Sequence, residues 1–220
     1  MTAGAKTANA TPAGAPVLMA ENAPQLILAS GSATRAALLT AAGLRFTARA
    51  AAVDEAAVKD SLQAEGATAA QTAETLAELK AQRVAAGHSG ALVIGADQML
   101  SCNDLWFDKP PDRDHAAAQL RALSGKTHEL STAVCVVRDG GRLWHHNAVA
   151  RLTMRSLSDA FIEAYLEACG PEVLGSVGAY QLEGRGAQLF TRVEGDFFTV
   201  LGLPLLPLLD FLRANKVLSS

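Results

Sequence analysis

Apolar residues recur along this chain in two rhythms, and the changes between them mark out the elements. A continuous run, Leu26-Ile27-Leu28-Ala29, predicts a buried strand over 25–30. Helical spacing follows over 32–42, with Gly43 in the C-cap role. Residues 44–53 read as a second strand that ends at Asp54-Glu55, and a polar, alanine-rich loop is expected after it. Residues 71–86 read as a helix whose apolar side carries Leu76, Leu79 and Val84, with Lys80 among them. "ALVIGADQML", 91–100, is a short apolar run of buried-strand type. "FDKPPDRD" is turn chemistry, and Ala116, Leu120 and Leu123 then return to helical spacing. Residues 129–154 form two β-rich runs around Asp139-Gly140-Gly141, the pattern of a hairpin. Ser158 caps a helix whose face is Phe161, Ile162, Tyr165, Leu166 and Cys169, and Gly170-Pro171 stops it. A glycine-dense segment over 175–202 leads to a last helix beginning near Pro204. Strands alternate with helices but a hairpin interrupts them, so the expected fold is α/β, with a mixed sheet and flanking helices.

Composition narrows this picture. With 220 residues, half of them hydrophobic, the chain can bury a substantial core in one domain, or in one domain with two lobes. Residues 1–24, rich in Ala, Thr, Gly and Pro, are expected to be a disordered tail, leaving 25–220 as the domain. No apolar run approaches the roughly 18 residues of a membrane span. A net charge of −3 argues against nucleic acid as a partner but leaves room for a nucleotide, which needs only a few local cations. Cys102, Cys135 and Cys169 form no CxxC pair, and the histidines form no HxxxH pattern, so neither a disulfide framework nor a histidine metal site is expected. A reducing, cytoplasmic setting fits this cysteine usage.

The candidate chemistry lies where strands end. In "LILASGSATRAALL", Ser30, Gly31 and Ser32 stand between a strand and a helix, with Arg35 on the first turn. Small residues let an anion reach the unpaired first amides of a helix, and an arginine adds a charge-assisted pair. A plain N-cap at Ser32 accounts for the same residues. Asp97 lies late in an otherwise apolar run, where a carboxylate needs either a partner or a task. Asp54 and Glu55 end another strand, and Lys109 sits in a proline-rich turn. Asp54, Glu55 and Asp97 could hold Mg²⁺ or Mn²⁺ or orient a water, while Arg35, Lys80 and Lys109 could neutralise phosphates. "LSGKT" is not a P-loop: Leu120 stands where that motif needs its first glycine, and the segment follows a helix. Glu183 lies among glycines that imply tight turns or close approach to a ligand.

Taken together, L-I-L-A-S-x-S-x-x-R, D-E, G-A-D, K-P, L-S-G-K-T-H, G-A-Y-x-x-E-G-x-G-A, E-G-D and G-L-P-L, in this order over about 25–215, resemble the Maf family of nucleoside triphosphate pyrophosphatases. The resemblance implies a two-lobed mixed α/β fold related to inosine triphosphate pyrophosphatases. It also implies metal-dependent hydrolysis of a nucleoside triphosphate to a monophosphate and pyrophosphate, in the cytoplasm, by a homodimer. It casts Asp97 as general base, Ser30, Ser32 and Arg35 as the phosphate loop, Asp54 and Glu55 as the carboxylate pair, and Lys80 and Lys109 as the motif lysines. Many members read S-P-R-R in the first loop; this chain reads Ser32-Ala33-Thr34-Arg35. Gln98 and Glu183 resemble the branch that acts on 7-methyl-GTP, whereas Thr34 matches neither that branch nor the dTTP/UTP branch. A nucleotide-binding regulator of cell division without turnover, and a phosphatase releasing orthophosphate, are the alternative readings.

Overall fold

The computed structural model describes residues 18–219. A seven-stranded mixed sheet is flanked by helices, with strands in the order β2-β1-β3-β5-β6-β7 and β4 pairing with β3 off that path. The chain divides into two compact units. One holds the residues up to Asp97, then 132–148 and 202 onward; the other holds 98–131 and 149–201.

In the first unit, β1 (Leu26–Leu28) lies parallel to β2 (Thr47–Ala48) and to β3 (Leu92–Cys102), with Leu26 opposite Leu92. Helix α1 (Ala33–Ala41) begins where Ser32 accepts the Arg35 N–H, and the chain leaves it through Gly43 at φ +78°. Helix α3 (Ala69–Ala85) starts with a reciprocal capping box between Thr68 and Gln71. It buries Ala73, Leu76, Ala77 and Ala81 completely. The small residues on that face let the helix come close to β3 at Gly95, where an added Cβ would overlap the Ala77 carbonyl oxygen and lie 2.9 Å from the Ala81 Cβ. A two-residue turn joins β5 (Thr127–Arg138) to β6 (Gly141–Met154). Its residues, Asp139 and Gly140, both take positive φ, at 50° and 81°, as a type I′ hairpin requires.

In the second unit, the far half of β3 pairs antiparallel with β4 (Leu105–Phe107), and the far half of β6 pairs antiparallel with β7 (Phe190–Glu194). Helices α4 (Arg113–Leu123) and α5 (Asp159–Cys169) cover a core that includes Leu100, Leu120, Leu130, Leu152, Ile162, Tyr165 and Leu189. The stretch over 170–189 folds into three short 3₁₀ turns. The helix α6 (Phe197–Val200) follows, and in the first unit α7 (Leu205–Ala214) ends the helical part of the chain.

Three expectations need correction. The tail assigned to 1–24 lies outside the described residues as far as residue 17, but 18–24 join the fold: Met19 is buried and bridges to Leu218, and Ala20 donates to the Val217 carbonyl. The second strand shrinks from 44–53 to two residues. The polar loop after Asp54 is in fact helix α2 (Glu55–Ala64), which buries none of its residues fully and has only Val58 and Leu62, one turn apart and half-buried, as large apolar side chains.

Candidate functional site

The first unit holds an ionic cluster on three elements, buried at Asp97 and Lys80 and open to water at Glu55. Asp97 sits on β3 and is only 5% exposed. Lys80, on the buried side of α3, places its Nζ 2.6 Å from Asp97 Oδ1 and 2.8 Å from Glu55 Oε1. Glu55 is the first residue of α2 and keeps nearly half of its side chain in water. Charges this buried persist only when paired, and the two carboxylates share one ammonium. The close packing at Gly95 makes this geometry possible. Ala77 touches β3 there, Lys80 lies one helical turn further along α3, and Asp97 lies two residues further along the strand.

The Ser30–Arg35 segment stands on the same unit. Ser30 Oγ accepts the Ser32 N–H at 3.2 Å, and Ser32 Oγ accepts the Arg35 N–H at 3.3 Å. The Arg35 side chain is more committed than the sequence suggests. Its Nε donates to the Gly202 carbonyl at 2.7 Å, and its Nη1 donates to the Ala96 carbonyl at 3.0 Å and to Ser30 Oγ at 3.2 Å. Burial pushes the guanidinium below its usual pKa, while the negative charges of Asp97 and Glu55 oppose that shift. Arg35 thus ties the serine loop, the stretch of β3 just before Asp97 and the Gly202 turn into one piece. Thr34 is half-buried on the first turn of α1.

Not every expected residue joins this cluster. Asp54 Oδ1 accepts the Ala57 N–H at 3.1 Å and caps α2. Among the described residues no three His, Cys, Asp or Glu side chains gather at one point; Glu55 and Asp97 meet at Lys80, while Asp54 stands at the cap of α2. Glu55 and Asp97 are hard oxygen donors aimed at one point. Such a pair fits Mg²⁺ or Mn²⁺ when phosphate oxygens and water complete the shell. Lys109, Gln98 and Glu183 belong to the second unit. Lys109 and Glu183 are exposed, and Gln98 Nε2 donates to the carbonyls of Thr199 at 2.9 Å and Val200 at 3.2 Å.

Two structural contributors carried weaker signals in the sequence. Gly95 sits inside a strand, where glycine marks a close backbone approach. Gly202, at φ +91°, turns its carbonyl toward Arg35, and a Cβ there would lie 3.4 Å from Arg35 Nε. The second unit also buries His128, whose Nε2 lies 2.8 Å from Tyr180 Oη, and desolvation lowers its pKa to about 4.

Fold and site together define an α/β protein with a carboxylate–lysine centre midway along β3 beside a serine–arginine loop. The family model of Maf-like proteins matches residues 25–215, and the chain belongs to that family. It is 62% identical over 189 residues to a nucleoside triphosphate pyrophosphatase of Paramagnetospirillum magneticum, covering 86% of this chain and 97% of that one. A nucleoside triphosphate pyrophosphatase of Rhodospirillum rubrum is 54% identical, with 90% and 98% covered. A 7-methyl-GTP pyrophosphatase of Rhizobium meliloti is also 54% identical, with 86% and 96% covered.

Proposed function

We propose that the protein hydrolyses nucleoside triphosphates at the α–β phosphoanhydride, releasing a nucleoside monophosphate and pyrophosphate. The observation that carries this reading is the buried Asp97, held by Lys80 beside Glu55 in a chain closely similar to enzymes named for this reaction. Asp97 accepts a proton from the attacking water, whose oxygen bonds to phosphorus as the bond to the leaving pyrophosphate oxygen breaks. Ser30, Ser32 and the first amides of α1 receive phosphate oxygens, and Arg35, Lys80 and Lys109 supply positive charge. Glu55 and Asp97 would hold a divalent cation, Mg²⁺ or Mn²⁺, which neutralises developing charge on the phosphates. Asp54 acts through the cap that sets Glu55 at the start of α2.

A purine is the base this reading favours, with 7-methyl-GTP the preferred candidate. The Glu183 carboxylate can accept hydrogen bonds from the N1–H and N2–H₂ edge of guanine, and the positive charge of an N7-methylated ring suits a nearby carboxylate. Gln98 and Thr34 complete the proposed recognition set. The setting we propose is a cytoplasmic homodimer acting on free nucleotides, without nucleic acid or membrane. Among the described residues no helix is long and apolar enough to cross a bilayer.

The test is a product assay with Mg²⁺ or Mn²⁺ and a panel of ordinary and modified triphosphates. Monophosphate and pyrophosphate in equal amounts are expected; orthophosphate as the product, or binding without turnover, would overturn the reading. Asp97→Asn should fold, keep substrate binding, and lose about 10²-fold or more in kcat, the scale of general-base catalysis.

A further inference from the structure

We infer that Lys80 is the resident counter-ion of the Glu55–Asp97 pair and yields that place to a divalent cation only when a triphosphate arrives, so that metal and substrate enter together. The inference rests on the reading that the site takes a triphosphate with a metal. Its starting point is geometric. One nitrogen, 2.6 Å from Asp97 Oδ1 and 2.8 Å from Glu55 Oε1, occupies the point where both carboxylates converge. A divalent cation held by Glu55 and Asp97 would compete with the ammonium for the same two carboxylates. An ammonium and a dication cannot share them, because their repulsion in a poorly hydrated place is large.

Charge makes the order of events specific. Lys80 and Arg35 carry two positive charges, and Asp97 and Glu55 carry two negative ones, so the cluster is balanced as it stands. A dication arriving alone would break that balance and leave Lys80 without a partner on a helix face lined by Leu76, Ala77, Ala81 and Val84. An unpaired ammonium there is strongly disfavoured. A triphosphate removes the obstacle, since its oxygens give the flexible lysine stem a new acceptor while the carboxylates turn to the metal. Lys80 is therefore both place-holder and phosphate ligand, in that order.

The probe is Mn²⁺, with its free concentration followed by electron paramagnetic resonance, and no turnover is needed. Wild-type protein should bind Mn²⁺ weakly alone, and a triphosphate with a methylene bridge between its α and β phosphorus atoms should lower free Mn²⁺ further than the same analogue does without protein. Lys80→Met should bind Mn²⁺ about tenfold or more tightly than wild type without any nucleotide, because the competing charge is gone. Lys80→Arg keeps the charge and should stay weak. Glu55→Gln in the Lys80→Met background should lose the gain. Melting in EDTA gives an independent readout: Lys80→Met should melt below wild type and recover with Mg²⁺ far more than wild type does. If Lys80→Met is too unstable to purify without metal, the Lys80→Arg titration and the analogue's effect on wild type still decide. Equal Mn²⁺ affinity in Lys80→Met and wild type, tight binding by Lys80→Arg, or no effect of the analogue would each overturn the inference. A protein that shows these Mn²⁺ effects yet makes no pyrophosphate would sink the proposed function instead.

Discussion

Arg35 shows how one side chain serves two masters. The sequence suggests a phosphate ligand, whereas the structure spends three of its contacts on Gly202, Ala96 and Ser30. One charge-assisted contact to phosphate is worth about 1.5–3 kcal/mol, so Arg35→Ala should lose roughly 10- to 150-fold in kcat/KM through that contact alone. The loss should be the same for every base. Arg35→Lys should not restore it, because a lysine cannot reproduce the fork that reaches Gly202 and Ala96 together. Steady-state kinetics of both variants check this, and recovery in Arg35→Lys would show that charge alone matters. His128 offers a residue-scale test of stability. Its folded pKa of about 4 lies below the unfolded value near 6.5, so the unfolded chain binds the extra proton first as the pH falls. The stabilisation is full above pH 6.5 and is lost on the way to pH 4, by up to about 3 kcal/mol. Urea midpoints measured from pH 7 to 4.5 should fall in wild type and fall less in His128→Phe, which starts lower because Tyr180 loses its partner.

At the scale of elements, the approach of α3 to β3 governs the site. Gly95→Ala would drive a methyl into the Ala77 carbonyl, so helix and strand must separate and Lys80 must leave Asp97. A cost of about 1–3 kcal/mol or more is expected from such overpacking, together with a loss of turnover. Thermal melting and kinetics read the two effects, and an unchanged kcat would detach Gly95 from the site. The elements that could be read in advance are those with strong periodicity: β1, α1, α3, β3, the 127–154 hairpin and α5 all fall close to their predicted places. Helix α2 carried a short signal: Glu55–Ala64 buries no residue fully, and the Asp54 cap with Val58 and Leu62 one turn apart is what announces it. Strands β4 and β7 are short and largely exposed, and the glycine-dense segment hid three 3₁₀ turns whose geometry depends on tertiary packing. The site was legible as residue types but not as positions: Asp97, expected near a strand end, lies midway along β3, which continues to Cys102, and Asp54 and Glu55 start helix α2 instead of ending β2. What the residue types could not show is which carboxylate caps a helix and which one meets Lys80, because that choice is made by the packing of α2 and α3.

At the scale of the molecule, the strand β3 runs from one unit into the other between Asp97 and Gln98. The proposed base thus ends the first segment of one unit, and the proposed recognition residue begins the first segment of the other. Glu183 belongs to the second unit as well, so changing it should alter preference without disturbing the Lys80 cluster. Glu183→Gln is expected to shift the ratio of kcat/KM from 7-methyl-GTP and GTP toward dTTP and UTP, since an amide can donate to pyrimidine carbonyls as a carboxylate cannot. A wild-type preference for dTTP or UTP would refute this account of Glu183 and leave the proposed chemistry standing.

The Arg35–Gly202 bond spans 167 residues of sequence, and it gives the molecule a sense of time. During synthesis, β1, α1, α2, α3 and β3 can all be made before the carbonyl that receives Arg35 Nε exists. Until residue 202 leaves the ribosome, the guanidinium lacks one of its anchors and the stretch of β3 before Asp97 is not fully tied. A nascent chain is therefore a poor catalyst however much of its sheet has formed, and competence arrives late, with the turn that carries Gly202.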